Sequence, residues 1–278
     1  VNVVRLKFVR MLAWIGQRKL PRTCRGFASE NRLLLGLAIT QPCIGYAALR
    51  FDTLEPVKIG LIDLVGLDAS AKKTEALNAL KSLRKQNTGA TWVVGIKQMA
   101  RVGHKGSQYF KTADLIRLNG VLADQAERIF KTEPYDIHMR QVQTHLGIQA
   151  QSWASRRAMF DYVVAKVPAF PVVKTHNNAL ADESLNMTDA WGCAVFAKRR
   201  RRVEEMRGDE AAVASIKAQI LQQRTLRELE QHAKELREEG KMRESKEVHD
   251  VWARRVQQEV DKKLFAMLDQ EQERQQTT

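Results

Sequence analysis

A chain of 278 residues that is 44% hydrophobic and 28% charged can bury one substantial core with extensions, or two small domains. Its 46 Lys and Arg against 32 Asp and Glu leave a formal net charge of +14, a balance whose usual partners are phosphate backbones or anionic membrane surfaces. Three cysteines, Cys24, Cys43 and Cys193, form no pair at metal-ligand spacing, which argues against a disulfide scaffold or a zinc site and fits a reducing compartment. Apolar runs such as Leu33 to Ile39 are too short to cross a bilayer.

The chain opens with Arg5, Lys7, Arg10, Arg18, Lys19, Arg22 and Arg25 and has no acidic residue before Glu30. Val4, Phe8, Met11, Leu12 and Ile15 recur at helical spacing between these cations. An Arg-rich, acid-poor amphipathic start resembles an organellar transit peptide. The other reading of residues 1–30 is a basic arm that stays on the protein and meets nucleic acid.

Two apolar segments, 33–40 and 44–51, flank a Gln-Pro-Cys turn and predict a hairpin; 57–65 predicts a third strand. Between Ala69 and Gln86, Leu77, Leu80 and Leu83 mark a helix whose outer face carries Lys72, Lys73, Lys81, Arg84 and Lys85. Gly89 ends it, and 91–99 predicts a fourth strand. A basic loop with Arg101, His104 and Lys105 follows, then helix from Ser107 to Phe130, a short strand at 135–139 and a further helical stretch. A polar loop, HNNALADES, precedes a predicted helix over 185–202. Strands and helices alternating in this way predict an α/β fold with a mixed sheet.

After Lys198 the composition shifts to dense mixed charge with almost no Gly and no Pro. Val213, Ile216 and Ile220 mark one apolar stripe with Leu229, Ala233 and Leu236; Val248, Trp252, Val256, Val260, Leu264 and Leu268 mark another. One or two long amphipathic helices are predicted, interrupted at Gly208 and Gly240, with stripes that pack on the domain or on a partner.

Five segments in order resemble one family. RLLLGLAITQPCIGYAAL (32–49) resembles the first hairpin of RuvC-type Holliday junction resolvases, and TWVVGIKQM (91–99) resembles their fourth strand. IRLNGVLADQA (116–126), IHMRQVQTHLGI (137–148) and TDAWGCAVFAKR (188–199) resemble the following helix, the next strand-to-helix step and the final helix. The resemblance implies an RNase H-like domain over 31–200. This is a mixed five-stranded sheet flanked by helices, followed by a charged helical extension over 201–278.

The resemblance also implies a chemistry and shows it to be damaged. The family holds two divalent cations with carboxylates on the first strand, the fourth strand and the last helix, and these metals drive phosphodiester cleavage. Here Ala38, Lys97 and Asn186 stand at three of those positions, and only Asp189 keeps a carboxylate. Mg²⁺ needs oxygen ligands, and an ammonium repels a cation, so no metal or other cofactor is expected and the chain reads as a pseudoenzyme. Lys97 either pairs with Asp189 or extends to solvent. Asp63, on the third strand, and Asp68, Asp182 and Glu183, in loops, do not stand at family ligand positions.

The expected function is therefore a non-catalytic RNA-binding or scaffold protein of the mitochondrial matrix, as a mitochondrial ribosomal subunit or an assembly factor. The alternative is an active mitochondrial Holliday junction resolvase, a Mg²⁺-dependent, structure-selective endonuclease. Candidate nucleic-acid contacts are Arg101, His104, Lys105, Lys111, Arg140, Arg156, Arg157 and the run Lys198, Arg199, Arg200, Arg201 and Arg202, whose self-repulsion calls for a polyanion. Expected partners are RNA, ribosomal RNA above all, and neighbouring proteins of a ribonucleoprotein. No membrane is expected, and the C-terminal helices offer a surface for a dimer or heteromeric contact.

Overall fold

The computed structural model describes residues 31–98, 107–148 and 153–277. Arg32–Thr278 forms one compact unit. The basic start and the loop with Arg101, His104 and Lys105 lie outside the described residues.

Three antiparallel strands come first: β1 (Arg32–Ile39), β2 (Cys43–Arg50) and β3 (Pro56–Asp63). Helix α1 (Ala69–Gln86) leads to β4 (Thr91–Lys97), and α2 (Ser107–Phe130) leads to β5 (Tyr135–Ile137). Both β4 and β5 run parallel to β1, and the sheet order is β3-β2-β1-β4-β5. Helices α3 (Met139–His145), α4 (Trp153–Lys166) and α5 (Asp182–Arg207) complete the domain. This is an α/β fold with a mixed five-stranded sheet flanked by helices, as the sequence predicts.

The central strands are apolar on both faces because both faces are covered. Leu33, Leu35, Leu37, Ile39, Trp92, Val94 and Ile96 pack on one side with Leu80 and Leu83 of α1 and Leu122, Ala126 and Phe130 of α2. Leu34, Ala38, Ala47, Leu49 and Val93 pack on the other with Met159 and Val163 of α4 and the small residues of α5. Alternation along each strand therefore puts Gly36 and Ala38, and Gly95 and Lys97, on the face that meets α5.

Helix α1 starts where the Asp68 carboxylate accepts the Ala71 N–H at 2.8 Å, so this loop acid is an N-cap. Asp63 closes β3 by accepting the Val65 N–H at 2.9 Å. Strand β5 ends at Ile137, short of the predicted 139, because His138 O already accepts from Gln141 and Val142 to start α3. Helix α5 starts at Asp182, three residues before the predicted 185. Asp182 and Glu183 thus form its first turn, where carboxylates suit the positive end of the helix dipole.

The extension holds three helices rather than one or two: α6 (Glu210–Ile220), α7 (Arg224–Glu238) and α8 (Met242–Thr277). Ile220 and Leu226 would sit about 120° apart on a continuous helix. A turn through Leu221–Gln223, with no Gly or Pro in it, brings both into one cluster. At Gly240, φ is +80°; its N–H reaches Arg237 O at 3.1 Å and the Lys241 N–H reaches Leu236 O at 2.9 Å, a Schellman cap that turns α7 back along α8. Trp252, Val256, Val260, Leu264 and Leu268 are buried there against Val203 of α5, Ile216, Ile220 and Leu226. Among the described residues, no helix is long and apolar enough to cross a membrane.

Candidate functional site

Helix α5 crosses the sheet unusually closely because its seat is made of glycine and alanine. A Cβ on Gly36 would fall 1.8 Å from Ala190 O, one on Gly45 would fall 2.5 Å from Asn186 O, and one on Gly95 would fall 2.5 Å from Cys193 O. Gly36 and Gly95 are register partners across β1 and β4, and Ala38 pairs with Gly45 across β1 and β2. The helix contributes Ala190, Cys193, Ala194 and Ala197 to the same layer. This approach brings Asn186 and Asp189, on the N-terminal half of α5, to the ends of β1 and β4.

The four positions singled out by sequence meet there. Ala38 is fully buried and Asp189 is 2% exposed at its side chain. Lys97 Nζ donates to Asp189 Oδ2 at 2.7 Å, so the lysine pairs with the acid instead of turning to solvent. Arg156 of α4 donates to the same Oδ2 at 3.2 Å and to Asn186 Oδ1 at 3.0 Å. The Asn186 amide in turn donates to Thr40 Oγ1 at 2.9 Å, in the β1–β2 turn, and to Cys43 Sγ at 3.3 Å, at the start of β2. Exposed Asp182 is 3.9 Å from Arg156, a contact worth little in water.

Two cations therefore converge on one buried carboxylate. A buried carboxylate is costly without compensation, and charge-assisted hydrogen bonds supply it here. Arg156 was expected at a nucleic-acid surface, but it faces this cleft. Its spacing from buried Met159, Phe160 and Val163 places it on the core-facing stripe of α4, a signal the periodicity carried. Thr40 and Cys43 had no sequence signal of their own; only the turn that joins β1 to β2 presents them to Asn186.

The divalent pair that the resemblance implies does not fit these residues. Four ligand positions hold a methyl group, an ammonium, an amide and one carboxylate, and the carboxylate already accepts from Lys97 and Arg156. Among the described residues, no group of three or more His, Cys, Asp or Glu gathers around a point. Burial, with Asp189 nearby, pushes the Cys193 thiol up, so it stays protonated and inert as a nucleophile.

The run of cations on α5 also finds partners within the chain. Lys198 Nζ donates to Asp52 O at 2.9 Å, and burial lowers its pKa. Arg199 pairs with Asp269 of α8 at 2.7 Å and lies over the Phe265 ring. Arg200 lies over Phe196, while Arg201 and Arg202 pair with Glu205 at 3.5 and 3.4 Å. The self-repulsion expected of the run is thus met largely by the fold's own acids, carbonyls and rings. Arg157 pairs with Asp161 at 3.2 Å, and Arg140 is exposed. Lys111 lies on α2, but its side chain is outside the described residues.

Arg199 also donates to His145 Nδ1 at the junction of α3, α5 and α8. A guanidinium has no acceptor, so the His145 ring is neutral with its proton on Nε2. Burial, and then the Arg199 charge, push its pKa from 6.5 down to about 4, against the pull of Asp269; Phe196 packs edge-on beside it. The folded value lies below the unfolded one, so the unfolded chain takes the proton first as pH falls. The stability tied to the neutral ring is whole above pH 6.5 and is lost on descending to about 4. Wild type should lose more stability across that window than His145→Gln, as urea midpoints would record; equal losses would contradict the buried neutral ring.

No protein-family model matches the sequence, and no curated protein matches it. Among solved structures the chain is similar to the "Thermus thermophilus RuvC structure", with a TM-score of 0.42 and 11% identity over 61% of this chain and 95% of that one.

Proposed function

We propose that the chain is a catalytically silent RNase H-like protein that binds RNA as a scaffold, as a subunit or assembly factor of the mitochondrial ribosome in the matrix. The observation that carries the silent reading is the 2.7 Å contact of Lys97 with Asp189, joined by Arg156 at 3.2 Å. An ammonium and a guanidinium occupy the charge role that two-metal cleavage assigns to cations, yet neither can coordinate a water and lower its pKa as a metal ion does. A surplus of 14 positive charges supports a polyanionic partner, and phosphate contacts do not depend on a cleavage site. The transit-like start and the charged helical extension support the mitochondrial ribonucleoprotein setting.

Purified protein should bind RNA with strong salt dependence and should leave a four-way DNA junction intact in Mg²⁺. Junction cleavage that vanishes with EDTA would overturn the silent reading in favour of an active resolvase. Native protein from organelle lysate should sediment with a ribosomal subunit or its precursor. Co-purification with organellar DNA instead would reject the ribosomal setting.

A further inference from the structure

We infer that the solvent face of α1 and the Thr88–Gly89 turn after it form a seat for the phosphate backbone of RNA. This inference rests on the RNA-binding reading above and locates the contact away from the degenerate cleft. A surface depression is lined by Lys81, Arg84, Lys85, Thr88, Gly89 and Ile129, with three cations and no acid. Lys73 continues the same face, and from Lys73 to Lys85 the helix advances about 18 Å, a span of several backbone phosphates.

The second observation is the contrast with the Lys198–Arg202 run. Those cations are held by Asp52 O, Asp269, Glu205 or aromatic rings, whereas Lys73, Lys81, Arg84 and Lys85 form no ion pair among the described residues. Arg84 is half-buried and its Nη1 donates to Ala90 O at 2.6 Å, which fixes the guanidinium over the turn and leaves its other N–H groups for a ligand. Gly89 has φ +83°, and a Cβ there would meet nothing within 4 Å, so space above the turn is open.

The negative end of the α1 dipole is not enough to neutralise this group. It supplies roughly half a unit charge against three full cations. The surplus suits phosphodiester oxygens, which lysine meets as a point charge and arginine meets with paired N–H groups.

The test uses the full chain and a fluorescently labelled RNA duplex across a salt series. Lys81→Gln with Lys85→Gln keeps helix-forming side chains and removes two charges. Lys217→Gln with Lys246→Gln removes two exposed charges from the extension as the control. The α1 pair should make the slope of log affinity against log salt shallower by about two, with the control unchanged. An Arg84→Lys variant, which keeps the charge but loses the fixed fork, should weaken binding with little change of slope. If wild type binds and the α1 pair keeps the wild-type slope, or the control moves it equally, the seat is rejected alone. If wild type does not bind RNA, the seat falls together with the RNA-binding reading. Circular dichroism of each variant verifies that α1 remains folded.

Discussion

Gly36→Val should leave little or no folded protein. The new Cβ would lie 1.8 Å from Ala190 O and 2.6 Å from Ala194 N, and both are backbone atoms of α5 that no rotamer change can move. Relief requires α5 to lift from the sheet, which would open the layer of Ala190, Cys193, Ala194 and Ala197 against β1, β2 and β4. A loss above about 4 kcal/mol belongs to this kind of core overpacking, and a domain has only about 5–15 kcal/mol in total. Gly120→Ala is the matched control. Its Cβ would meet nothing within 4 Å on α2, so it should gain up to about 1 kcal/mol from helix propensity. Urea unfolding followed by far-ultraviolet circular dichroism checks both; a Gly36→Val protein with a wild-type midpoint would show that α5 does not rest on this seat.

Deleting Lys97 and Asp189 together should cost less than their two single losses added. Lys97→Met leaves Asp189 buried with Arg156 as its remaining cation, a loss of about 2 kcal/mol for one charge-assisted bond. Asp189→Leu leaves Lys97 and Arg156 facing each other without the acid between them, a loss of about 3 kcal/mol. Lys97 and Arg156 keep 21% and 29% of their side chains exposed, so water relieves part of that repulsion. In the double variant an apolar pair replaces the ion pair, and the total loss should be smaller than the sum of the single losses by about 2 kcal/mol. Additive losses would mean that the two groups touch without stabilising one another. The same variants report on chemistry, since a junction nuclease would have to lose activity with Asp189 and none is expected.

Much of the domain was readable because its signals are local. Leu77, Leu80 and Leu83 mark α1 and Gly89 ends it, and the continuous apolar runs of β1 and β4 specify strands buried on both faces. The ends of β5 and α5 were less readable. His138 can close a helical turn or extend a strand, and packing chose the turn. The break after Ile220 had no Gly or Pro to announce it; it exists because Ile220 and Leu226 both enter the cluster around Trp252 and Val260.

At the site, residue identity alone shows that Ala38, Lys97 and Asn186 bring no carboxylate, because side-chain chemistry does not depend on the fold. The fate of the remaining charges was a tertiary matter. Asp189 gains its second cation from α4, 33 residues away, and Arg199 meets its acid on α8, 70 residues away. Sequence spacing reports neighbours along one strand or helix, whereas these pairs form only after a glycine-lined sheet admits α5 and the extension folds back on it.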